Sequence, residues 1–315
     1  MEIDALEVRG LDRDTVLALS RPSDAKGLAQ LAVHVAMILA TGTLVYLSRG
    51  TWWLVPAIVL HGIPIAYLFC PLHEGVHRTP FKTRWLNDTV AWIAGAAIGL
   101  PAGFYRIFHF AHHRFTQDPA RDPELLVRKP TTRGEYWYTM TGIPWWRYRV
   151  GLSLIQAVTG KVAQAVIPAA RHREIIVEAR AVWGLYLAIA VLSVVFRTDV
   201  ALIYWFLPLL VGYPFLRFFL LAEHTGCALG NADMFANTRT TYTNRAMRLL
   251  AWDMPFHCEH HSYPSVPFHA LHKVNALIGE RIVNTSPGYL AFHRNLLRAL
   301  PTAADRQPAG ARGAD

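Results

Sequence analysis

The chain has 315 residues, of which 53% are hydrophobic and 17% charged, against roughly 25% charged for an ordinary soluble domain. That balance argues against a water-soluble fold and for a membrane one. The net charge of +9 is not a nucleic-acid signal: the basic residues flank apolar runs, where anionic lipid head groups or an acidic soluble partner match better.

Residues 1–27 are polar and mixed in charge, without a short apolar core or cleavage site, so they are expected to form a cytosolic segment before an uncleaved first anchor. Leu28–Leu47 and Trp52–Leu72 are each about long enough to cross a bilayer, which takes roughly 20 residues. Only Ser48–Thr51 separates them, so they predict a helical hairpin. A first histidine box, His73-Glu-Gly-Val-His77, begins where the second run ends. Val90–Ala102 is apolar but too short to span, and Gly95, Gly99 and Pro101 weaken it as a helix; a re-entrant or surface-lying piece is expected. The second box, His109-Phe-Ala-His112-His113, is followed by a polar loop over Gln117–Pro130. Glu135–Val150 mixes Trp and Tyr with Arg147 and Arg149, the composition of a segment at head-group level. Ala181–Phe196, extendable back toward Ile175, and Val200–Ala222 form a second hairpin across Arg197–Asp199. The third box is His257-Cys-Glu-His260-His261. Residues 28–300 therefore read as one membrane domain, and the Ala/Gly/Pro-rich tail 301–315 is expected to be disordered.

The stretch His73–Arg180 carries fifteen Lys/Arg, whereas each hairpin link carries one Arg. Positive-inside logic puts that stretch, both termini and all three boxes on the cytoplasmic side. The cysteines, Cys70, Cys227 and Cys258, lack CxxC spacing, so no disulfide framework is expected.

Spacings of three and four put side chains on one helix face, so each box offers two or three imidazoles to one point. Eight box histidines exceed what one zinc needs, and the surplus points to more than one metal ion. Imidazole suits iron, zinc, copper and nickel alike; two irons with open positions would bind and activate dioxygen. His224, at the end of the fourth span and level with the boxes, is taken as a ninth ligand. Glu74, Asp253 and Glu259 lie in or beside the boxes and are candidates to accept the outer N–H of a bound imidazole. Asp118 and Asp122 suit that role or a solvated loop equally. His61 precedes His73 by twelve residues, about 18 Å along a helix, too far to share a metal. His34 lies in the first span without a partner at useful spacing. His172, His269, His272 and His293 lack the box pattern and read as surface or interfacial. Two rival readings stand beside this one. His73-Glu-Gly-Val-His77 formally matches the HExxH of zinc peptidases, which leaves the other two boxes without a role. A transporter would place its ligands within the spans, where only His34, His61 and Arg217 lie.

Over roughly residues 28 to 275 the pattern resembles the integral-membrane fatty acid desaturase and hydroxylase superfamily. The phrase His257-Cys-Glu-His-His-Ser-Tyr-Pro-Ser-Val-Pro267 is similar to the third box of acyl-lipid desaturases and carotenoid ketolases. The resemblance implies an all-α integral membrane fold, with four transmembrane helices in two hairpins capped by a cytosolic helical domain holding two irons. It carries the ligand role to His73, His77, His109, His112, His113, His224, His257, His260 and His261, with no catalytic residue beyond them. The implied activity is O2-dependent introduction of a double bond into a fatty-acyl or related lipid chain. Hydroxylation or ketolation of a lipid, carotenoid or other small substrate is the alternative. Leu220, four residues before His224, stands where stearoyl-CoA-type enzymes carry Asn, and the first box has three intervening residues where theirs has four. Both departures favour an acyl-lipid, sphingolipid-like or carotenoid-like branch. His257 stands where front-end desaturases carry Gln. No HPGG haem stretch is present, so electrons are expected from a separate ferredoxin-like or cytochrome-like donor with its reductase. Its expected docking surface is a basic face including Arg106, Arg114 and Arg121.

Overall fold

The computed structural model describes residues 10–302. In chain order its helices are α1 (Arg13–Leu19), α2 (Asp24–Leu47), α3 (Leu54–Ala66), α4 (Phe69–His77), α5 (Arg84–Ala97), α6 (Ala102–Phe115), α7 (Arg133–Met140), α8 (Ile143–Trp145), α9 (Gly151–Thr159), α10 (His172–Val195), α11 (Leu207–His224), α12 (Met234–Asn237), α13 (Arg245–Leu250), α14 (His257–Ser262), α15 (Phe268–Ile278) and α16 (Tyr289–Ala299). Two short strands, β1 (Arg239–Thr241) and β2 (Asn284–Ser286), pair in parallel, with Thr240 opposite Thr285. The protein is otherwise helical, as expected.

Four helical stretches are long and apolar enough to cross a membrane: Asp24–Leu47, Leu54–His77, Ala169–Val195 and Leu202–His224. They form the two hairpins. The second stretch does not stop at Leu72, where hydropathy ends it. It continues through α4 and the first box, because His73 and Glu74 turn inward and are 1% and 0% exposed. Likewise the third begins well before Ala181. Arg49 and Asp199, one from each hairpin link, pair at 2.7 Å, so both tips lie at the same end of the bundle. The histidine boxes lie at the other end.

The inner helices α3 and α11 meet through glycine. A Cβ on Gly62 would collide with the carbonyl of Pro208, and one on Gly212 with the carbonyl of Gly62. Small residues allow this close backbone approach, the usual basis of helix association in lipid. Polar side chains tie the same bundle: His34 Nε2 lies 2.9 Å from the Pro64 carbonyl, and His61 bridges Thr41 Oγ1 and the Tyr204 carbonyl. Both histidines are therefore cross-helix ties. The outer helices α2 and α10 keep apolar side chains such as Leu39 and Val194 exposed, as a lipid-facing surface requires.

The segment after the first box takes the form of the expected re-entrant or surface-lying piece. Val90–Ala102 belongs to a bent helix pair, α5 and α6, whose axes turn by 101°. Gly95 lies within α5, where a Cβ would press on the Leu100 carbonyl, while Gly99 takes φ +71 and makes the turn. Pro101 caps α6. Trp85, Trp92 and Ile93 are exposed on α5, suiting a helix at the membrane surface. In the Glu135–Val150 segment Trp137 and Tyr138 are exposed, but Arg149 is buried. His293 is also buried, with Nδ1 3.0 Å from Tyr136 Oη and Nε2 2.7 Å from the Phe218 carbonyl; it joins α7, α11 and α16 rather than facing solvent. All three cysteines are buried and unpaired. Pro301 accepts a hydrogen bond from the Arg133 amide at 3.1 Å, and the expected tail beyond residue 302 lies outside the described residues.

Candidate metal centre

Four elements deliver the nine histidines. His73 and His77 share one face of α4, which stops where Arg78 takes φ 60. His109, His112 and His113 follow on α6, His224 ends α11, and His257 opens the short α14 that also carries His260 and His261. The imidazoles gather into two groups. His73, His77, His109, His113 and His260 form one, with their ring nitrogens within 4.8 Å of one another, and His112, His224 and His261 form the other. His257 joins the second group through His224, Nε2 to Nε2 at 3.1 Å. The rings of His113 and His261 stack at 4.1 Å, so the groups adjoin.

Several nitrogens face one another: His112 and His224 at 3.2 Å, His109 and His113 at 3.0 Å, His113 and His260 at 3.1 Å. About 3 Å is the spacing of two imidazoles sharing one ion at metal–nitrogen distances of roughly 2.0–2.1 Å. His73 Nε2, His77 Nε2 and His261 Nε2 are buried without a hydrogen-bond partner, which an apolar core would not tolerate without compensation. Burial first, and then neighbouring imidazoles, hold His257, His260 and His261 well below the usual histidine range. They are neutral, the form that ligates. The donor set fits two adjacent metal ions.

Oxygens stand beside the outer nitrogens. His112 Nδ1 lies 2.9 Å from Asp122 Oδ1, His224 Nδ1 3.2 Å from the Asn237 carbonyl, and His261 Nδ1 3.2 Å from Thr116 Oγ1. Glu74 Oε1 is 3.5 Å from His73 Nδ1, and Glu223 Oε1 is 3.4 Å from His257 Nδ1, within ion-pair reach rather than hydrogen-bonded. Of the paired loop acids, Asp122 is thus the one at the centre, and Asp118 instead pairs with Arg121 at 2.6 Å. Burial pushes the Asp122 carboxyl up, but His112 and the amides of Glu124 and Gln117 outweigh it and hold it below the usual range.

Two expected partners are placed elsewhere. Asp253 accepts from Arg248 at 2.6 Å, away from the boxes. Glu259, although inside the third box, accepts from Thr240 Oγ1 at 2.6 Å and from Asn275. It points to the opposite face of α14 from the ligands and fastens that helix to β1 and α15. Sequence reasoning missed Glu223, which adjoins His224, and Glu124, whose Oε2 is 3.7 Å from His112 Nε2. Adjacency to a ligand was the only signal for Glu223.

Two openings reach the centre. A small cavity of about 70 Å³ lies between Phe69, Tyr105, His112, Glu124, Arg217 and His257, among others. On another side, an open groove of about 500 Å³ is lined by His77, Phe110, His113, Arg114 and His261.

The sequence model for fatty acid desaturases matches residues 50–293. The chain is 27% identical over 293 residues to a dihydrorhizobitoxine desaturase of Bradyrhizobium elkanii, covering 85% of this chain and 78% of the relative. It is 25% identical over 257 residues to an sn-1 oleoyl-lipid 12-desaturase of Synechocystis sp., covering 73% and 69%. A third similarity, 25% over 283 residues, is to an sn-1 oleoyl-lipid 12-desaturase of Anabaena variabilis, covering 81% and 77%. An integral membrane oxidoreductase fits both the four apolar helices and these relatives. The family match spans most of the length and takes in all nine gathered histidines: the chain belongs to the fatty acid desaturase family.

Proposed function

We propose that this chain binds two irons through its nine histidines and, with dioxygen and two electrons, introduces a double bond into a fatty-acyl or related chain. The observation that carries this reading is the convergence of nine imidazoles into two adjoining groups beside a small cavity. Bound iron would supply dioxygen activation and the removal of hydrogen from an unactivated C–H bond. The chain's own residues do the rest. Asp122, Asn237 and Thr116 fix ring orientation, which keeps the ligands basic and aimed. Tyr105 stacks on His109 at 5.1 Å, and with Phe69 walls the cavity against water, limiting side reactions.

Glu74 weighs against the peptidase rival. Its Oε1 faces His73 at 3.5 Å, while its Oε2 takes Thr79 Oγ1 at 3.2 Å and the Phe268 amide at 3.3 Å, the placement of a support for that histidine. The positive-inside asymmetry supports a cytoplasmic location for the boxes and both termini, where a separate ferredoxin-like or cytochrome-like donor and its reductase would reach them.

The test is iron content together with products. Protein purified in detergent should hold about two irons per chain, and His112→Ala or His260→Ala should lose metal and activity together. Cells with a reductase system should gain unsaturated products only when the intact chain is expressed. One zinc per chain, or full activity in either variant, overturns the proposal.

A further inference from the structure

The cavity beside the histidines is unusual for an acyl-chain channel. Six acidic or strongly basic side chains line it: Asp122, Glu124, Arg128, Lys129, Arg217 and Glu223. A tunnel for a lipid tail needs apolar walls, since each buried polar group must be compensated. The cavity is also small for the acyl tail of a membrane lipid.

Arg217 is the pivotal group. It lies within the fourth span, where a charged side chain is costly and marks function. Among the described residues it makes no hydrogen bond or ion pair, and its guanidinium sits 5.3 Å from the Trp145 ring. It shares a face of α11 with Leu221 and His224, two turns or about 10 Å from that histidine along the axis. A second guanidinium, Arg149, lies 4.2 Å from the same ring. Arg149 is 2% exposed, and its Nε and Nη1 have no hydrogen-bond partner. The Tyr105 hydroxyl, on the cavity wall, is also buried without one. One end of the cavity thus carries two guanidiniums with no anion in hydrogen-bond reach, Glu223 and Glu124 acting on them only through space. At the other end, Glu124 and Glu223 stand beside His112 and His257.

We propose that Arg217, backed by Arg149, holds the carboxylate of the substrate, so that this enzyme acts on a short free acid rather than on an acyl chain esterified in a lipid. The chain then runs from Arg217 toward the three-histidine group. A planar guanidinium matches a carboxylate bidentately, which a lipid ester does not offer. This inference rests on the desaturase reading and names its substrate class.

The test is ligand binding to the full chain in detergent, followed by tryptophan fluorescence, which Trp145 reports from the cavity wall. Hexanoate should bind saturably, and hexan-1-ol, with the same tail and no charge, at least about tenfold more weakly. Oleoyl phosphatidylglycerol in nanodiscs, which offers a lipid phosphate instead, should not compete. Arg217→Gln should weaken hexanoate about tenfold and leave hexan-1-ol unchanged, while Arg217→Lys recovers part of the loss. Retained iron and an unaltered elution profile establish that the variants are folded. Should Arg217→Gln fail to fold, the hexanoate–hexanol contrast in the natural chain decides alone. Equal binding of the acid and the alcohol, hexanoate binding unchanged in Arg217→Gln, or competition by the lipid overturns the proposal. Absence of iron would instead strike the desaturase reading and leave the acid selectivity standing.

Discussion

His224 sits 3.2 Å from His112 and 3.1 Å from His257, nitrogen to nitrogen, at the end of α11. His224→Ala should therefore reduce iron content while the membrane-inserted bundle persists, since the apolar spans do not depend on it. His61→Ala is the matched control: it loses a tie to Thr41 and Tyr204 but should keep its iron. Normal iron in His224→Ala would reduce the centre to the eight box histidines. Asp122→Asn keeps the shape but weakens the acceptor at His112, and should cost about 10–100-fold in metal affinity by chelator competition. Asp118→Asn should cost nothing there. The gathering of the box histidines was legible because helical spacing alone turns each box toward one point. Apart from Glu74, which shares α4 with His73, the supports were not, because the oxygen beside a ring comes from another element. Asp253 shows the failure: four residues before His257 would be one face of a helix, but Trp252 and Asp253 take φ 51 and 54, so α14 starts later and Asp253 turns to Arg248.

At the level of elements, the crossing of α3 and α11 sets how the first box and His224 meet. Gly62 and Gly212 touch backbone to backbone, so a methyl at either must push the helices apart. Gly62→Ala or Gly212→Ala should destabilise the bundle by about 1–3 kcal/mol, the usual cost of overpacking. Thermal unfolding in detergent and iron content should fall together. Gly184→Ala on α10, where nothing lies within 4 Å, should leave both unchanged; equal losses at all three would deny the contact its role. The spans themselves were legible from length and hydropathy. Their ends were not, because inward-facing His73 and Glu74 interrupt the apolar run without interrupting the helix. The break between α5 and α6 was legible at Gly99 and Pro101, but not its 101° angle, which depends on Gly99 taking a positive φ.

For the whole molecule, the Arg49–Asp199 pair at one end and the histidines at the other give the bundle two chemically distinct poles. If the histidine pole is cytoplasmic, a cysteine introduced at exposed Arg121 should be labelled only from that side in oriented vesicles. Labelling only from the outside would reverse the topology. On the proposed reading the same pole receives the electrons, and the open groove over His77, His113 and His261 is where the gathered histidines come closest to solvent. Arg114 lines it, Arg106 lies 4.7 Å over Phe110 in its wall, and Arg121 stacks on Phe115 nearby. A basic rim around an exposed aromatic suits an acidic, soluble donor. Association should then weaken as salt rises, because exposed charges are screened beyond about 8–10 Å at physiological ionic strength. Arg114→Glu should slow donor-driven reduction several-fold, mainly through association, with iron content unchanged. A small uncharged chemical reductant should reduce that variant and the natural chain at equal rates, which separates docking from damage to the centre. Reduction by the protein donor that ignores both salt and Arg114→Glu would place the electron path on another face.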